Sequence, residues 1–385
     1  MQFQLELKPR SKARVLRGHP WVFVSELRSL APEVFDGRAL ELLDERGHSL
    51  GWGIFNSKSQ IVWRRLSRTP VKELDADFFG AAIKASLSRR PPQMRTGRLV
   101  WSEADHLPGL VVDRFDDTLV VQTLTLAMDK SLGIICGVLT QLLGELPIVI
   151  RNDAPARRHE GLEPFSGTFD GQPIEPHWVQ IEGVEYFLDL VGAQKTGFFL
   201  DQRQQHLNIA RHAKGRRVLD AFCNQGGFAL NCAKAGASHV LAIDSSQDCV
   251  NAVKRNAEHN ALKIETCCAN MFDWFTQNRD ERFDLIILDP PSFARSKQQL
   301  EGALRGYKEL NLRALKQLNP GGILATYSCS HGVSADAFFS TLVDAAADSR
   351  RNVRLLERTG QPLDHPVLVT MPQSQYLKGL VVSVD

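Results

Sequence analysis

Arg217-Val218-Leu219-Asp220-Ala221-Phe222-Cys223-Asn224-Gln225-Gly226-Gly227-Phe228 is the stretch that decides the fold. A short apolar run ends in an acid, a polar turn follows, and two adjacent glycines open a helical pattern. Strand, glycine-bearing turn and helix in that order read as the first unit of a parallel, doubly wound sheet. The chain downstream keeps the alternation. Strand-like runs at 239–244, 264–268, 283–288 and 322–327 alternate with helical stretches near 226–235, 246–260, 300–318 and 334–348.

Upstream the pattern differs. Residues 1–70 hold short β-rich runs at 21–24, 39–43, 50–55 and 60–66, separated by turn residues such as those at 44–48. This predicts a small, mostly β module, a barrel by preference. Helical spacing then appears at Phe78, Ala81, Ala82 and Ala85, and Pro91-Pro92 ends it. Strands near 98–101, 109–114 and 118–124, a helix at about 130–143 and a strand at 148–151 complete a central α+β region. The Gly- and Pro-rich stretch 160–176 reads as a linker with hairpin character. The expected α/β chain thus has three domains, over 1–70, 71–178 and 179–385, which suits its 385 residues.

Composition bounds the class. The chain is 43% hydrophobic and 23% charged, as soluble globular proteins are. No apolar run approaches the ~20 residues of a membrane helix, and the N-terminus lacks the pattern of a signal peptide. Seven cysteines, an odd number with no Cys-x-x-Cys, argue against a disulfide framework and against a metal site. The expectation is a reduced, cytoplasmic protein with no membrane and no metal. Net charge is only +2, but residues 1–70 hold twelve Lys/Arg against seven Asp/Glu. Lys8, Arg10, Lys12, Arg14 and Arg17 follow one another with no acid between them. They suit phosphates, or equally form a solvated face.

Ligands of open α/β sheets bind at the carboxyl ends of the strands. Asp220 and Gly226-Gly227 fall there, and Asp244 ends the next strand, 24 residues on. A carboxylate at that place can grip both hydroxyls of a ribose. The Gly-x-Gly-x-x-Gly that brings backbone onto a pyrophosphate is absent. Asp220 would repel a pyrophosphate but suits the cationic amino-acid end of S-adenosylmethionine. Asn270 offers an amide to an adenine edge, and Met271 an apolar wall. The ordered set predicts an S-adenosylmethionine site. In Gln194-Lys195-Thr196-Gly197-Phe198-Phe199-Leu200-Asp201-Gln202-Arg203, the last three residues either frame that pocket or cap a helix.

Two further strand ends carry chemistry. Asp289-Pro290-Pro291 follows the apolar run 285–288, and forty residues later Cys329 stands in Ser-Cys-Ser after the run 322–327. An acid at one strand end and a thiol at the next suit work on a pyrimidine ring: the acid holds or protonates the base and the thiol attacks it. The other cysteines read as packing residues.

Taken together the chain resembles, nearly end to end, the bacterial 23S ribosomal RNA cytosine-C5 methyltransferases with an N-terminal PUA domain. The resemblance runs through Arg17-Gly18-His19-Pro20-Trp21-Val22-Phe23 and the Glu103-x-Asp105-x-Leu107-Pro108-Gly109-Leu110 segment. It continues in Lys195 to Arg203, Gly226-Gly227-Phe228, Asp289-Pro290-Pro291-Ser292-Phe293 and Arg305-Gly306-Tyr307-Lys308-Glu309. It closes with Ser328-Cys329-Ser330, Asp364-His365-Pro366 and Tyr376-Leu377-Lys378. Relatives usually carry an aromatic and a small residue where this chain has Asn224-Gln225. That departure touches contacts at the methionine end of the cofactor.

The resemblance implies a PUA-like RNA-binding domain, a connecting domain and a class I, Rossmann-like methyltransferase domain. It implies a cofactor site of Lys195, Thr196, Gly197, Phe199, Asp201, Arg203, Asp220, Phe222, Gly226, Asp244, Asn270, Met271, Asp289 and Pro290. Cys329 would be the nucleophile and Asp289 the acid on the cytosine N3/N4 edge. Asp364 and His365 are candidates for the base that removes the C5 proton, or a structural clip. Phe293 would stack on the flipped base, beside RNA contacts from Lys8, Arg10, Lys12, Arg14 and Arg17. The implied partner is 23S ribosomal RNA, and a homodimer is compatible with the reading. A guanine-nitrogen methyltransferase and a non-catalytic RNA-binding or assembly factor are the competing readings.

Overall fold

The computed structural model describes residues 3–192, 196–293 and 299–385, so Lys195 lies outside the described residues. The chain divides into two compact units. One comprises residues 1–177, 188–198 and 363–374; the other comprises 178–187, 199–362 and 375–385.

In the first unit, β1 (Gln4–Glu6), β2 (Trp21–Val22), β3 (Ala39–Leu43), β4 (Ser49–Phe55) and β5 (Trp63–Ser67) form a sheet in the order β1-β3-β4-β5-β2. Only β1 and β3 run parallel; the other pairs are antiparallel. Leu5, Val22, Leu42, Phe55 and Trp63 build its own core. Trp52, Ile54 and Leu66 turn instead into a second core, shared with the elements that follow. Those are α1 (Ala76–Leu87), β6 (Thr96–Trp101), β7 (Leu110–Phe115), β8 (Thr118–Thr123), α2 (Leu126–Lys130), α3 (Leu132–Leu143), β9 (Ile148–Asn152) and β10 (Phe165–Thr168). The strands order as β10-β9-β8-β7-β6. The helix expected at 130–143 is two helices that meet at Ser131.

The motif carboxylates Glu103 and Asp105 belong to this packing. Glu103 accepts from the Trp21 indole at 2.7 Å and from Arg64 at 3.1 Å. Asp105 accepts from Arg89 at 2.8 Å, from the Trp101 amide at 2.6 Å, and from Arg90.

A hairpin of β11 (His177–Ile181) and β12 (Val184–Leu188) precedes the sheet of the second unit. There α4 (Arg203–Ala210) is followed by β13 (Arg217–Ala221), α5 (Gly227–Lys234), β14 (His239–Asp244), α6 (Gln247–His259), β15 (Glu265–Cys268) and α7 (Met271–Gln277). Then come β16 (Phe283–Leu288), α8 (Leu300–Gln317), β17 (Leu318–Ser328), α9 (Ala335–Ser349), β18 (Val353–Gly360) and β19 (Lys378–Val384). The order is β15-β14-β13-β16-β17-β19-β18. The first five strands are parallel, and β19 slots antiparallel between β17 and β18. The alternation of β and α read from the sequence stopped at the last helix and did not include these two strands. The core packs Leu219, Ile243, Ile286 and Leu324 of the sheet against Leu310, Ala314, Phe338 and Leu342 of α8 and α9.

No helix among the described residues is long and apolar enough to cross a membrane. No group of three or more His, Cys, Asp or Glu among them is placed to hold a metal ion. None of the seven cysteines, all of them among the described residues, forms a disulfide.

Candidate active site

Sheet register brings the strand ends into one row. Ala221 of β13 stands opposite Ile243 of β14 and Leu288 of β16, and Leu288 stands opposite Thr326 of β17. The chain order reverses between β14 and β16 on either side of β13. The crevice outside the carboxyl ends of β13 and β16 is therefore the topological switch point where such sheets bind ligands. The turn after β13, Asp244, Asp289 and Cys329 all leave the sheet at this edge.

The turn after β13 is wound tightly. Phe222, Asn224 and Gly226 have φ of 68°, 47° and 87°. Left-handed backbone is costly for Phe222, by about 1–3 kcal/mol, and such strain gathers at ligand sites. Hydrogen bonds hold the turn: Cys223 N–H to Ile243 O at 2.9 Å, Gly226 N–H to Cys223 O at 2.8 Å, and Asn224 N–H to Asp244 Oδ2 at 3.0 Å. The two glycines are required on different grounds. A Cβ on Gly226 would lie 2.1 Å from Leu230 Cδ1, at a φ that disfavours side chains anyway. A Cβ on Gly227 would enter the His206 ring at 2.3 Å. That imidazole is fully enclosed, and burial pushes its pKa down to about 3, so it packs as a neutral ring against Phe228 at 4.6 Å.

Asp220 is buried at 0% exposure, and its Oδ2 accepts from Ala229 N–H at 2.8 Å. Its Oδ1 has no hydrogen-bond partner among the described residues. Burial pushes its pKa well above the carboxylate range, and the charges of Asp289 and Asp244 push the same way. A buried carboxylate oxygen without a partner is expensive. A cation brought to Oδ1 would satisfy the atom and favour the ionised acid. The α-ammonium or sulfonium of S-adenosylmethionine would supply such a cation, and the charges of Asp244 and Asp289 reach Asp220 as well. Gln202 is a second buried group, 2% exposed, whose amide atoms have no partner among the described residues.

Asp244 is half-buried, with Oδ1 accepting from Ser246 N–H at 2.9 Å and Oδ2 from Asn224 N–H at 3.0 Å. Two backbone donors orient the carboxylate and leave further lone pairs for ribose hydroxyls. Asp244→Ala should weaken S-adenosylmethionine binding about 10- to 100-fold, since hydrogen bonds to a charged group contribute about 1.5–3 kcal/mol. Isothermal titration measures this.

The remaining residues expected at the cofactor fall into several settings. Asn270 Oδ1 caps α7, accepting from Phe272 N–H at 2.9 Å, so an adenine edge would meet its NH2 or its backbone and not its carbonyl. Met271 is buried beneath it. Asp201 accepts from the Tyr376 hydroxyl at 2.8 Å, and Arg203 pairs with Glu182 at 3.2 Å. Phe199 is half-buried in the turn before them. Thr196 and Gly197 belong to the first unit, where the Thr196 hydroxyl donates to Asp113 at 2.7 Å.

The thiol segment is held from three sides. Cys329 is half-buried just past β17. The Ser328 hydroxyl bonds to the Tyr307 hydroxyl at 2.9 Å, and that hydroxyl bonds to Ser330 Oγ at 2.9 Å. Ser292, three residues past Asp289, reaches Ser330 Oγ at 3.1 Å. The acid segment and the thiol segment are thus tied through one serine. Asp289 is half-buried, its N–H directed at Ala221 O at 3.5 Å, and buried Pro290 follows it. Phe293 packs 4.9 Å from Tyr307 and lines a cleft of about 480 Å³ with Phe272, Gly302, Arg305 and Gly306. Ser328 and Ser330 were not read as functional residues, although their pairing around the cysteine was the available signal.

Asp364 and His365 lie in the first unit, each 1% exposed. His365 Nδ1 lies 2.9 Å from Asp364 Oδ1, Arg98 N–H donates to Asp364 Oδ2 at 3.0 Å, and Trp101 packs on the imidazole at 5.5 Å. This is the geometry of a clip that fastens residues 363–374 to β6. The five N-terminal cations, Lys8, Arg10, Lys12, Arg14 and Arg17, are all exposed between β1 and β2.

Comparison with known proteins agrees with this geometry. Residues 159–380 match the S-adenosylmethionine-dependent methyltransferase family, and residues 5–68 match a PUA-like domain. The ribosomal RNA large subunit methyltransferase I of Shewanella frigidimarina is 38% identical, and that of Enterobacter is 35% identical; each alignment covers 100% of both chains. A solved methyltransferase structure in complex with SAH superposes with a TM-score of 0.85 over 100% of both chains, at 21% identity. Fold and site define a class I methyltransferase whose cofactor is S-adenosylmethionine, joined to a PUA-like module. The chain belongs to the S-adenosylmethionine-dependent methyltransferase family that includes these large-subunit ribosomal RNA enzymes.

Proposed function

We propose that this protein methylates C5 of a cytosine in large-subunit ribosomal RNA through a covalent adduct with Cys329. The observation that carries the reading is the pair of segments tied at Ser330, one bearing Asp289 and the other Cys329, at the carboxyl edge of the sheet. The large-subunit substrate is supported by the activity named for the relatives. The exposed cations of the PUA-like module suit phosphate contacts.

Cytosine C5 is too weak a nucleophile to be alkylated directly. Cys329 thiolate adds to C6, and the ring electrons pass to C5, which becomes enamine-like. Asp289, protonated, donates to N3 and accepts from the N4 amino group, which favours the addition. When bound, S-adenosylmethionine supplies an electrophilic methyl group to the activated carbon. A base, water or a side chain, then takes the C5 proton; the C–H electrons re-form the ring double bond, the Cys329 thiolate leaves, and N3 returns its proton to Asp289. Phe293 offers a face to a flipped base.

Incubation of unmodified 23S RNA with methyl-labelled cofactor, followed by nuclease digestion, should place the label in 5-methylcytidine. Label in a guanosine would overturn the cytosine assignment. Cofactor binding without any label in the RNA would favour an assembly role.

A further inference from the structure

Lys378 opens β19 directly opposite Ser328 of β17, and it is only 8% exposed. Its Nζ donates to Ser330 O at 2.6 Å and to Val333 O at 3.0 Å. Both acceptors lie just past Cys329, so the side chain fastens the loop that carries the thiol. An ammonium has three N–H donors, and these two carbonyls take two of them. Among the described residues no carboxylate pairs with this buried cation.

We propose that Lys378 is a positioning residue for Cys329: it clamps the loop after the nucleophile and sets a cation beside the sulfur that favours the thiolate. The inference rests on the assignment of Cys329 as nucleophile. A buried ammonium is costly unless an anion compensates it. Burial lowers the Lys378 pKa to about 8, and a negative charge on Cys329 pulls it back up. The interaction is reciprocal, so the same cation pulls the thiol pKa down.

Other groups face this pair. The Tyr307 hydroxyl of α8 hydrogen-bonds to the serines on both sides of Cys329. Asp289 stands at the end of neighbouring β16 and opposes a thiolate. His331 stacks on Tyr376 at 5.6 Å, and partial burial together with the Lys378 charge disfavours its protonation. Lys378 is the cation whose charge meets that of Cys329 on this loop. Its help is full below pH 8 and is lost as it deprotonates above.

The test is the pH profile of Cys329 alkylation by iodoacetamide, resolved by peptide mass spectrometry on the full chain. In Lys378→Met the inflection should rise by about one pH unit or more, leaving about tenfold less reaction at pH 7. Lys378→Arg keeps a cation and should restore most of the shift. An unchanged inflection in folded Lys378→Met would overturn the proposal, because a purely structural lysine would move thermal stability and not the thiol titration. Should the variants fail to fold, the unmutated protein decides. Blocking Cys329 with iodoacetamide removes the anion and should lower the Lys378 midpoint read from its 13Cε shift; an unmoved midpoint would sink the idea. Retained methyl transfer in Cys329→Ala would refute the nucleophile without touching the alkylation profile, so the two failures are told apart.

Discussion

Cys329→Ala should lower methyl transfer by at least about 10³-fold while leaving cofactor affinity unchanged. The estimate follows from what the thiol is asked to do. Without addition at C6, C5 stays aromatic and unreactive, and more than about 4 kcal/mol of barrier lowering disappears. Cofactor affinity survives because Asp220, Asp244 and the turn at residues 222–226 stand on other strands. RNA carrying 5-fluorocytosine at the target separates mechanism from damage. Fluorine cannot leave as a proton does, so the native enzyme should form a denaturant-resistant complex with it and the variant should not. Full activity in Cys329→Ala would point to an amino or ring-nitrogen target, for which no adduct is needed.

Asp105→Ala should destabilise the first unit by about 3–5 kcal/mol, because it strands a buried guanidinium. Asp105 is 1% exposed, and the side chain of its partner Arg90 is 2% exposed. Burial alone would raise the pKa of this acid. The Arg90 charge and the hydrogen bonds from Arg89, Arg90 and the Trp101 amide outweigh burial, and the pKa ends below the usual value. A depressed carboxylate contributes stability that is present above its unfolded pKa of about 3.9 and is lost as pH falls through the folded value. The difference between native and variant should therefore be full at neutral pH and shrink in acid. At about 2–4 °C per kcal/mol for a unit of this size, the melting temperature should drop by about 6–20 °C. A fall of less than 2 °C at pH 7, seen by differential scanning calorimetry, would show that the Asp105–Arg90 pair is not a buried anchor. Glu103 and Asp105 stand in a motif that the sequence marks without giving it a role. Their buried partners make them structural.

The strand ends that carry the candidate cofactor site were legible because their determinants are local. The apolar run ending at Asp220, the glycines at 226 and 227, and the apolar run ending at Asp244 each announce a strand end within a dozen residues. A doubly wound sheet converts strand ends into a site without further information. The residues around Cys329 were only half legible. Ser-Cys-Ser is visible in the chain, but the partners of its serines are Tyr307, Ser292 and Lys378, between 21 and 48 residues away. No local pattern encodes a hydroxyl-to-hydroxyl contact over that span. Asn270 carries a second role that its residue type alone does not show: its side-chain carbonyl caps the helix behind it, which leaves its NH2 and backbone to face a ligand. The last two strands were missed because β19 enters the sheet antiparallel, and nothing in the alternation of β and α marks such an insertion.

The sequence by itself determined the class of the sheet, the edge at which it binds and the two groups, acid and thiol, that could act there. These follow from hydrophobic period and from the residue types that terminate each run, which are short-range properties. Tertiary structure alone decided that Lys378 bonds the loop after Cys329, that Ser330 joins the acid and thiol segments, and that Asp364 bonds to β6 and His365 packs on it in the first unit. Those depend on which strand pairs with which, in what register, and on which side chains burial leaves with a partner. Pairing over long separations is set by the whole core, so it appears only once the chain is folded.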